Sequence, residues 1–288
     1  MERDAHSNEL GRFLRARRAE LTPDMVGFSK GAEHRRVPGL RREEVAELAS
    51  ISVQYYTRVE QGRLRVSAPV LDTLAEVLRL DGDQLNYLHE LVGADAPRPR
   101  RGPAKQKVRA STLRLLDVIS APAIILGRRM DILAWNPLAA ALLGDFSQLT
   151  DSERNYACLV FSDSELRRRY ENWEDLAPDC VAFLRMEAAR DPQDPELESL
   201  VAQLSAMDSY FRTWWGEHNV AVQTAGVKTI RHPVVGAIQL DWETLTCSTD
   251  GDQHLVVWTA EPGTLSAERL ALLASEAARL PNRLRAGI

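Results

Sequence analysis

Residues 40–62, LRREEVAELASISVQYYTRVEQG, leave this chain few ways to fold. Val45, Ala46 and Ala49 recur at helical spacing, and Ala49-Ser50-Ile51 then closes the run. Ser52 stands where a helix N-cap belongs, its hydroxyl able to accept a bond from a free backbone N–H. A second helix runs through Gln54, Tyr55, Tyr56, Arg58, Val59 and Glu60 to Gly62, a residue that commonly stops helices. Tyr56 and Val59 face inward, which leaves Val53, Gln54, Tyr55 and Arg58 for the outside. A compact helix pair with an amide and a guanidinium on its open face suits the DNA major groove, where each base edge presents a distinct donor and acceptor pattern. The same spacing also fits an ordinary helical hairpin. The small residue at Ala46, the tight turn and the Glu-x-Gly ending favour the DNA-binding reading.

With 288 residues the chain has room for two domains of about 100–200 residues each. Its 44% apolar and 27% charged residues are ordinary for a globular protein. No run of about 18 apolar residues is present to span a membrane. The N-terminal stretch MERDAHSNELGRFLRARRAE is charged throughout, unlike a signal peptide. Cys158, Cys180 and Cys247 are an odd number without metal-ligand spacing, so reduced thiols in a cytoplasmic protein are expected, with a redox sensor as the alternative. The net charge of −5 hides a split. Residues 1–110 carry 20 Lys/Arg against 16 Asp/Glu, and residues 111–288 carry 16 against 25. A basic first half suits a phosphate backbone, whereas an acidic second half would be repelled by it.

The spacing predicts an all-α domain of five helices over 1–95. Its first helix spans Ser7–Glu20, the helix pair follows, a fourth helix opens at Ser67-Ala68-Pro69, and a fifth runs from Asp83 to Val92. Between the first two lies Thr22–Gly39 with Lys30, His34, Arg35 and Arg36, either a basic arm on DNA or a solvated loop. Residues 96–107, rich in Pro and Arg, read as a linker. Residues 108–288 read as an α+β domain. A helix over Thr112–Ile119 precedes strands Ala123–Gly127 and Met130–Trp135, and Asn136-Pro137 starts a helix to Leu143. Helical stretches are expected at Ser164–Trp173, Asp179–Ala189 and Pro195–Asn219. Alternating strands follow at Lys228–His232, Ala237–Thr246 and His254–Ala260, with a last helix over Ser266–Arg279.

All six tryptophans lie beyond residue 111. Trp135, Phe161, Trp173, Tyr210, Phe211 and Trp214 are therefore candidates to line a small-molecule pocket, and core packing is the alternative for each. Arg212, His218 and His232 are candidate anchors for a carboxylate, Arg212 through its fork of donors. Asp191, Asp194, Glu196 and Glu198 form an acidic cluster that reads as a cation site or as a solvated helix start. The sequence contains no G-x-S-x-G, H-E-x-x-H, phosphate loop or Cys-x-x-Cys, and catalysis is not expected.

The first segment resembles the Xre/Cro-type helix-turn-helix proteins. With the preceding RRVPG, the run LRREEVAELASISVQYYTRVEQGR is closer still to the actinobacterial MmyB-like regulators. Their PAS-like second domain is matched by ILAWNPLAAALLGDF, YFRTWWGEHNV, KTIRHPVVGAIQLDWETL and HLVVWTAEPGT. The resemblance implies that Ser52, Val53, Gln54 and Arg58 face double-stranded DNA, with Arg41 and Arg42 beside the phosphates and Tyr55 either reaching a phosphate or covering the core. It further implies a small-molecule effector, fatty-acid-like or otherwise amphipathic, with no other cofactor and no membrane partner. One such unit covers a half-site, so a homodimer on an inverted repeat is expected. The competing reading makes the second domain a docking module for another protein, with no small ligand.

Overall fold

The structure is a computed structural model that describes residues 2–27, 39–64, 66–93, 106–220, 224–247 and 250–277. Lys30, His34, Arg35 and Arg36 of the expected arm, and most of the expected linker, lie outside the described residues. Two compact units form. The first comprises 1–100 together with 185–199 and 213–222, and the second comprises 101–184, 200–212 and 223–288.

Among the described residues of the first unit, five α-helices precede residue 94: α1 (Glu2–Glu20), α2 (Arg42–Leu48), α3 (Val53–Glu60), α4 (Ala68–Val77) and α5 (Gly82–Gly93). α1 begins five residues before the expected start at Ser7. The apolar positions that set the helical period make the core: Phe13, Leu14, Leu40, Val45, Tyr56, Val59, Leu74 and Leu88 have no solvent exposure. Met186, Ala189 and Val220 join the same apolar cluster.

Two glycines allow α1 its close contacts. A Cβ on Gly11 would lie 2.2 Å from the carbonyl oxygen of Glu60, and one on Gly39 would lie 2.5 Å from that of Ala19. The turn between α2 and α3 places Ser50 at φ 55, a left-handed conformation that costs an L side chain about 1–2 kcal/mol. Glycine relieves that cost and returns part of it as unfolded-chain entropy. Ser50→Gly should therefore stabilise the helical unit by about 0.5–1 kcal/mol, read as a rise in its denaturation midpoint. A fall would show that the turn is held by the serine itself.

The second unit is built on a five-stranded, wholly antiparallel sheet in the order β2-β1-β5-β4-β3, the α+β PAS-like layout expected. After α6 (Ala110–Val118) come β1 (Ala123–Leu126) and β2 (Ile132–Trp135), then α7 (Pro137–Leu143). α8 (Tyr156–Ser162), α9 (Ser164–Arg169), α10 (Trp173–Arg190), α11 (Pro195–Met207) and α12 (Ser209–Glu217) lead to β3 (Ala225–His232), β4 (Gly236–Thr246), β5 (His254–Thr259) and α13 (Leu265–Ala277). Residues paired across antiparallel strands share a face, and faces alternate along each strand. One face carries Ala123, Ile125, Ala134 and Leu255, covered by Leu116 of α6. The other, called the inner face below, carries Ile124, Trp135, Val256, Trp258, Trp242, Leu240 and Ile230.

The helical middle departs from expectation in four places. α8 was not anticipated; its cap is the Asn155 side-chain oxygen, which accepts from the Cys158 N–H at 3.1 Å. The expected helix over Ser164–Trp173 ends at Arg169, because Tyr170 leaves helical geometry to bridge Ile230 of β3. α10, by contrast, continues through Pro178. Proline there forfeits one backbone bond, while Leu176, Ala177, Cys180, Val181 and Leu184 keep an unbroken buried face. The long stretch Pro195–Asn219 divides at Asp208, whose carboxylate accepts from the Phe211 N–H at 2.9 Å and starts α12.

Candidate DNA-reading surface and ligand-facing sheet

Ser52 caps α3, its Oγ accepting from the Tyr55 N–H at 3.1 Å, so part of the hydroxyl's bonding capacity goes to the helix. Gln54 and Arg58, four residues apart and hence on one helical face, are both exposed. Val53 and Tyr55 are half-buried and pack against the core, which gives the Tyr55 ring a covering role. Arg41 is exposed at the start of α2, where its backbone N–H donates to Glu44 at 2.7 Å.

Behind α3 lies a charged cluster that spacing alone does not show. The Glu60 carboxylate has no side-chain exposure and accepts from Arg18 Nε at 2.7 Å and Arg42 Nε at 2.6 Å. Arg42 is 39% exposed, so it is shared between the buried carboxylate and the surface. Burial, and then the charge of Glu60, push the Tyr56 hydroxyl far above its ordinary value and keep it protonated. Arg63, exposed just beyond Gly62 at φ 66, is a further cation beside α3; its only sequence signal was the Glu-x-Gly-Arg ending. Residues 1–95 carry 14 Lys/Arg against 16 Asp/Glu. The positive balance of the first half therefore comes from 98–109, and positive charge on the helices is local, at groups such as Arg41 and Arg63.

The aromatic candidates divide. Phe161, Trp173, Tyr210 and Phe211 form one edge-to-face chain, with centroids 5.7 Å apart for Tyr210–Trp173 and Trp173–Phe161 and 5.0 Å for Phe161–Phe211. Trp173 Nε1 donates to the Val160 carbonyl at 2.8 Å, so that ring is fixed as core. The guanidinium stacked on this chain belongs to Arg167, 3.6 Å from the Trp173 centroid, and not to Arg212. Arg212 is exposed and donates to the Ser205 carbonyl at 2.9 Å, closing the end of α11. Trp135 packs apart from that chain, against Phe146 and under the Arg154 guanidinium.

Trp214 is half-buried and lies, with His218, in the first unit. His218 Nδ1 is 2.9 Å from Glu9 and 2.8 Å from Arg185, so internal partners occupy it. Burial works to raise the Glu9 carboxyl, yet the His218 bond and the Arg185 charge hold it down at about 2. His232 is also engaged: Nε2 lies 2.9 Å from the Ala141 carbonyl, while Nδ1 accepts from Val234 N–H at 3.3 Å. Burial pushes its pKa down, which suits a neutral structural imidazole rather than a carboxylate anchor. The acidic cluster begins α11, with Asp194 accepting from the Glu196 and Leu197 N–H groups. Burial also raises Cys158 to about 11 and Cys180 to about 12, so neither is a reactive thiolate at neutral pH.

The group that sequence reasoning missed is Lys228. It sits on the inner face, in register with Leu240, with its ammonium 4.0 Å from the centre of the Trp242 ring. Its one legible signal is strand alternation, which sets a lysine among Gly226, Ile230 and His232 on the covered side of β3.

Residues 9–88 match a helix-turn-helix domain family. Residues 108–273, more than half of the chain, match the family described as the MmyB-like transcription regulator ligand binding domain. The chain belongs to the MmyB-like transcription regulators. A search among curated proteins found no match. As an MmyB-like regulator it joins a DNA-binding helical domain to a ligand-binding α+β domain, and both modules are regulatory rather than enzymatic. No helix of its described residues is long and apolar enough to cross a membrane.

Proposed function

We propose that this regulator works in the cytoplasm as a homodimer, reading an inverted repeat with α3 and changing its DNA affinity when the second domain takes up a fatty-acid-like amphipathic molecule. The observation that carries the first half is the outward pair on α3. Gln54 and Arg58 are exposed on one face of a helix whose other face, Tyr56 and Val59, is fully buried. An amide can pair bidentately with adenine and a guanidinium with guanine, each giving about 1–3 kcal/mol of discrimination. Arg41, Arg63 and the free side of Arg42 supply contacts to phosphate that carry no sequence information. Residues 96–107 join the two domains, and the effector acts by favouring one of two dimer arrangements.

Gln54→Ala and Arg58→Ala should each weaken binding to a selected genomic fragment by roughly 5- to 150-fold while leaving binding to shuffled duplex nearly unchanged. Fluorescence anisotropy at fixed salt, for the full chain on both duplexes, measures this. Equal losses on the two duplexes would show that α3 only touches the backbone. For the second half, native mass spectrometry of the purified chain, followed by denaturing extraction, should release a small amphipathic molecule.

A further inference from the structure

The inner face of the sheet has hydrogen-bond donors without matching acceptors. Lys228 has no carboxylate within 4.0 Å among the described residues, and its close neighbour is the Trp242 ring. Gly226, opposite Trp242 in the β3–β4 register, makes that placement possible: a Cβ there would lie 2.9 Å from the indole nitrogen. Arg231, one strand residue beyond Ile230, faces outward and pairs with Glu171. Lys228 is thus the one Lys or Arg among the described residues of the five strands that points to the inner side. The Trp135 and Trp258 indole N–H groups, both buried, share this face and have no acceptor. Asp179 and Cys180 of α10 are the titratable groups nearest in charge to Lys228. Burial lowers the lysine and raises the aspartate, so neither ion gains a full partner from the other.

We propose that Lys228 anchors the oxyanion of the regulator's ligand, a carboxylate or a phosphate monoester, while the apolar part of that ligand lies along Trp242, Leu240 and Trp258. This inference rests on the amphipathic-ligand reading above and adds the head-group charge and the residue that recognises it. A desolvated ammonium backed by an aromatic face, with apolar side chains on either hand, rewards an acceptor that brings a negative charge and a hydrocarbon body together. Asp179, whose charge reaches Lys228, opposes the same anion and tunes the affinity downward.

Calorimetric titration of the full chain with decanoate, decyl phosphate and decanol tests the assignment. At least one anion should bind ten times or more tightly than decanol, and its identity distinguishes carboxylate from phosphate. Lys228→Gln should abolish that preference without changing decanol affinity, Lys228→Arg should retain it, and Asp179→Asn should strengthen it. Matching thermal unfolding midpoints for the Gln and Arg variants exclude a folding defect as the cause. If Lys228→Gln keeps the preference, or if the native chain binds decanol as tightly as the anions, the Lys228 assignment is wrong although the ligand reading survives. If the native chain binds none of the three, both fall.

Discussion

Glu60→Ala should destabilise the helical unit by about 3–5 kcal/mol, a large part of the roughly 5–15 kcal/mol that holds a domain together. The carboxylate has no side-chain exposure, and it is the acceptor that Arg18 and Arg42 share, at 2.7 and 2.6 Å. Removing it leaves Arg18, itself only 13% exposed, without its charge partner beside a second guanidinium. The damage reaches function directly. Glu60 is the last residue of α3, and Arg42 is the first of α2. The cluster therefore ties α3, the helix proposed to face DNA, to the helix before it and, through Arg18, to α1. Glu60→Gln keeps the shape without the charge and should fall between the native chain and the alanine variant. Urea denaturation followed by circular dichroism, with DNA affinity measured in parallel, gives the comparison. A loss under about 1 kcal/mol for the alanine variant would mean that apolar packing alone holds α3 in place.

A comparable loss is expected at Asn136. Its side-chain oxygen accepts from the N–H groups of Ala123 at 3.1 Å and Ala139 at 2.9 Å, and its amide donates to the carbonyls of Ala121 at 2.7 Å and Ile119 at 3.3 Å. One buried side chain thus starts α7, fixes the entry of β1 and holds the turn after α6. Asn136→Ala strands four backbone groups away from water. With each unsatisfied group costing about 1–3 kcal/mol before relaxation, a net loss of about 3 kcal/mol or more follows. Asn136→Asp is the sharper test, since it preserves volume and both acceptor roles but turns a carboxylate oxygen toward two carbonyl oxygens. It should be at least as damaging as alanine at neutral pH. Tryptophan emission is a convenient readout, because Trp135, Trp173, Trp242 and Trp258 all lie in the second unit. An Asp variant as stable as the native chain would show that the two donated bonds contribute nothing.

The candidate site was legible unevenly, and the pattern has a physical cause. Helix periodicity, a serine cap and a glycine stop are local signals, and they located α3 to within a residue and put Gln54 and Arg58 on its open face. Strand alternation likewise located β3, β4 and β5, and the short runs Ala123–Gly127 and Met130–Trp135 located β1 and β2. The candidate anchors of the second domain were less legible because a polar side chain's role depends on what it meets, and its partners are distant in sequence. His232 finds Ala141, His218 finds Glu9 and Arg185, and Arg212 turns back on its own helix pair. Arg167 stacks on the aromatic chain and Lys228 lies against Trp242, contacts that composition could not assign. The helix expected from Asp179 starts earlier, at Trp173, for a related reason: a continuous buried face outweighs the one backbone bond lost at Pro178.

By itself the sequence determined the helices of the first domain, the five strands, their order and the outward face of α3, because these follow from short-range periodicity and capping, which operate within a few residues. Tertiary structure alone decided which charges are paired inside the protein and which are not. Glu60, Glu9 and His232 were drawn into internal bonds by neighbours up to 209 residues away, whereas Lys228 was left facing an indole without an acid within reach. A buried charge is stabilised only by a partner at bonding distance, and that distance is set by how the elements pack.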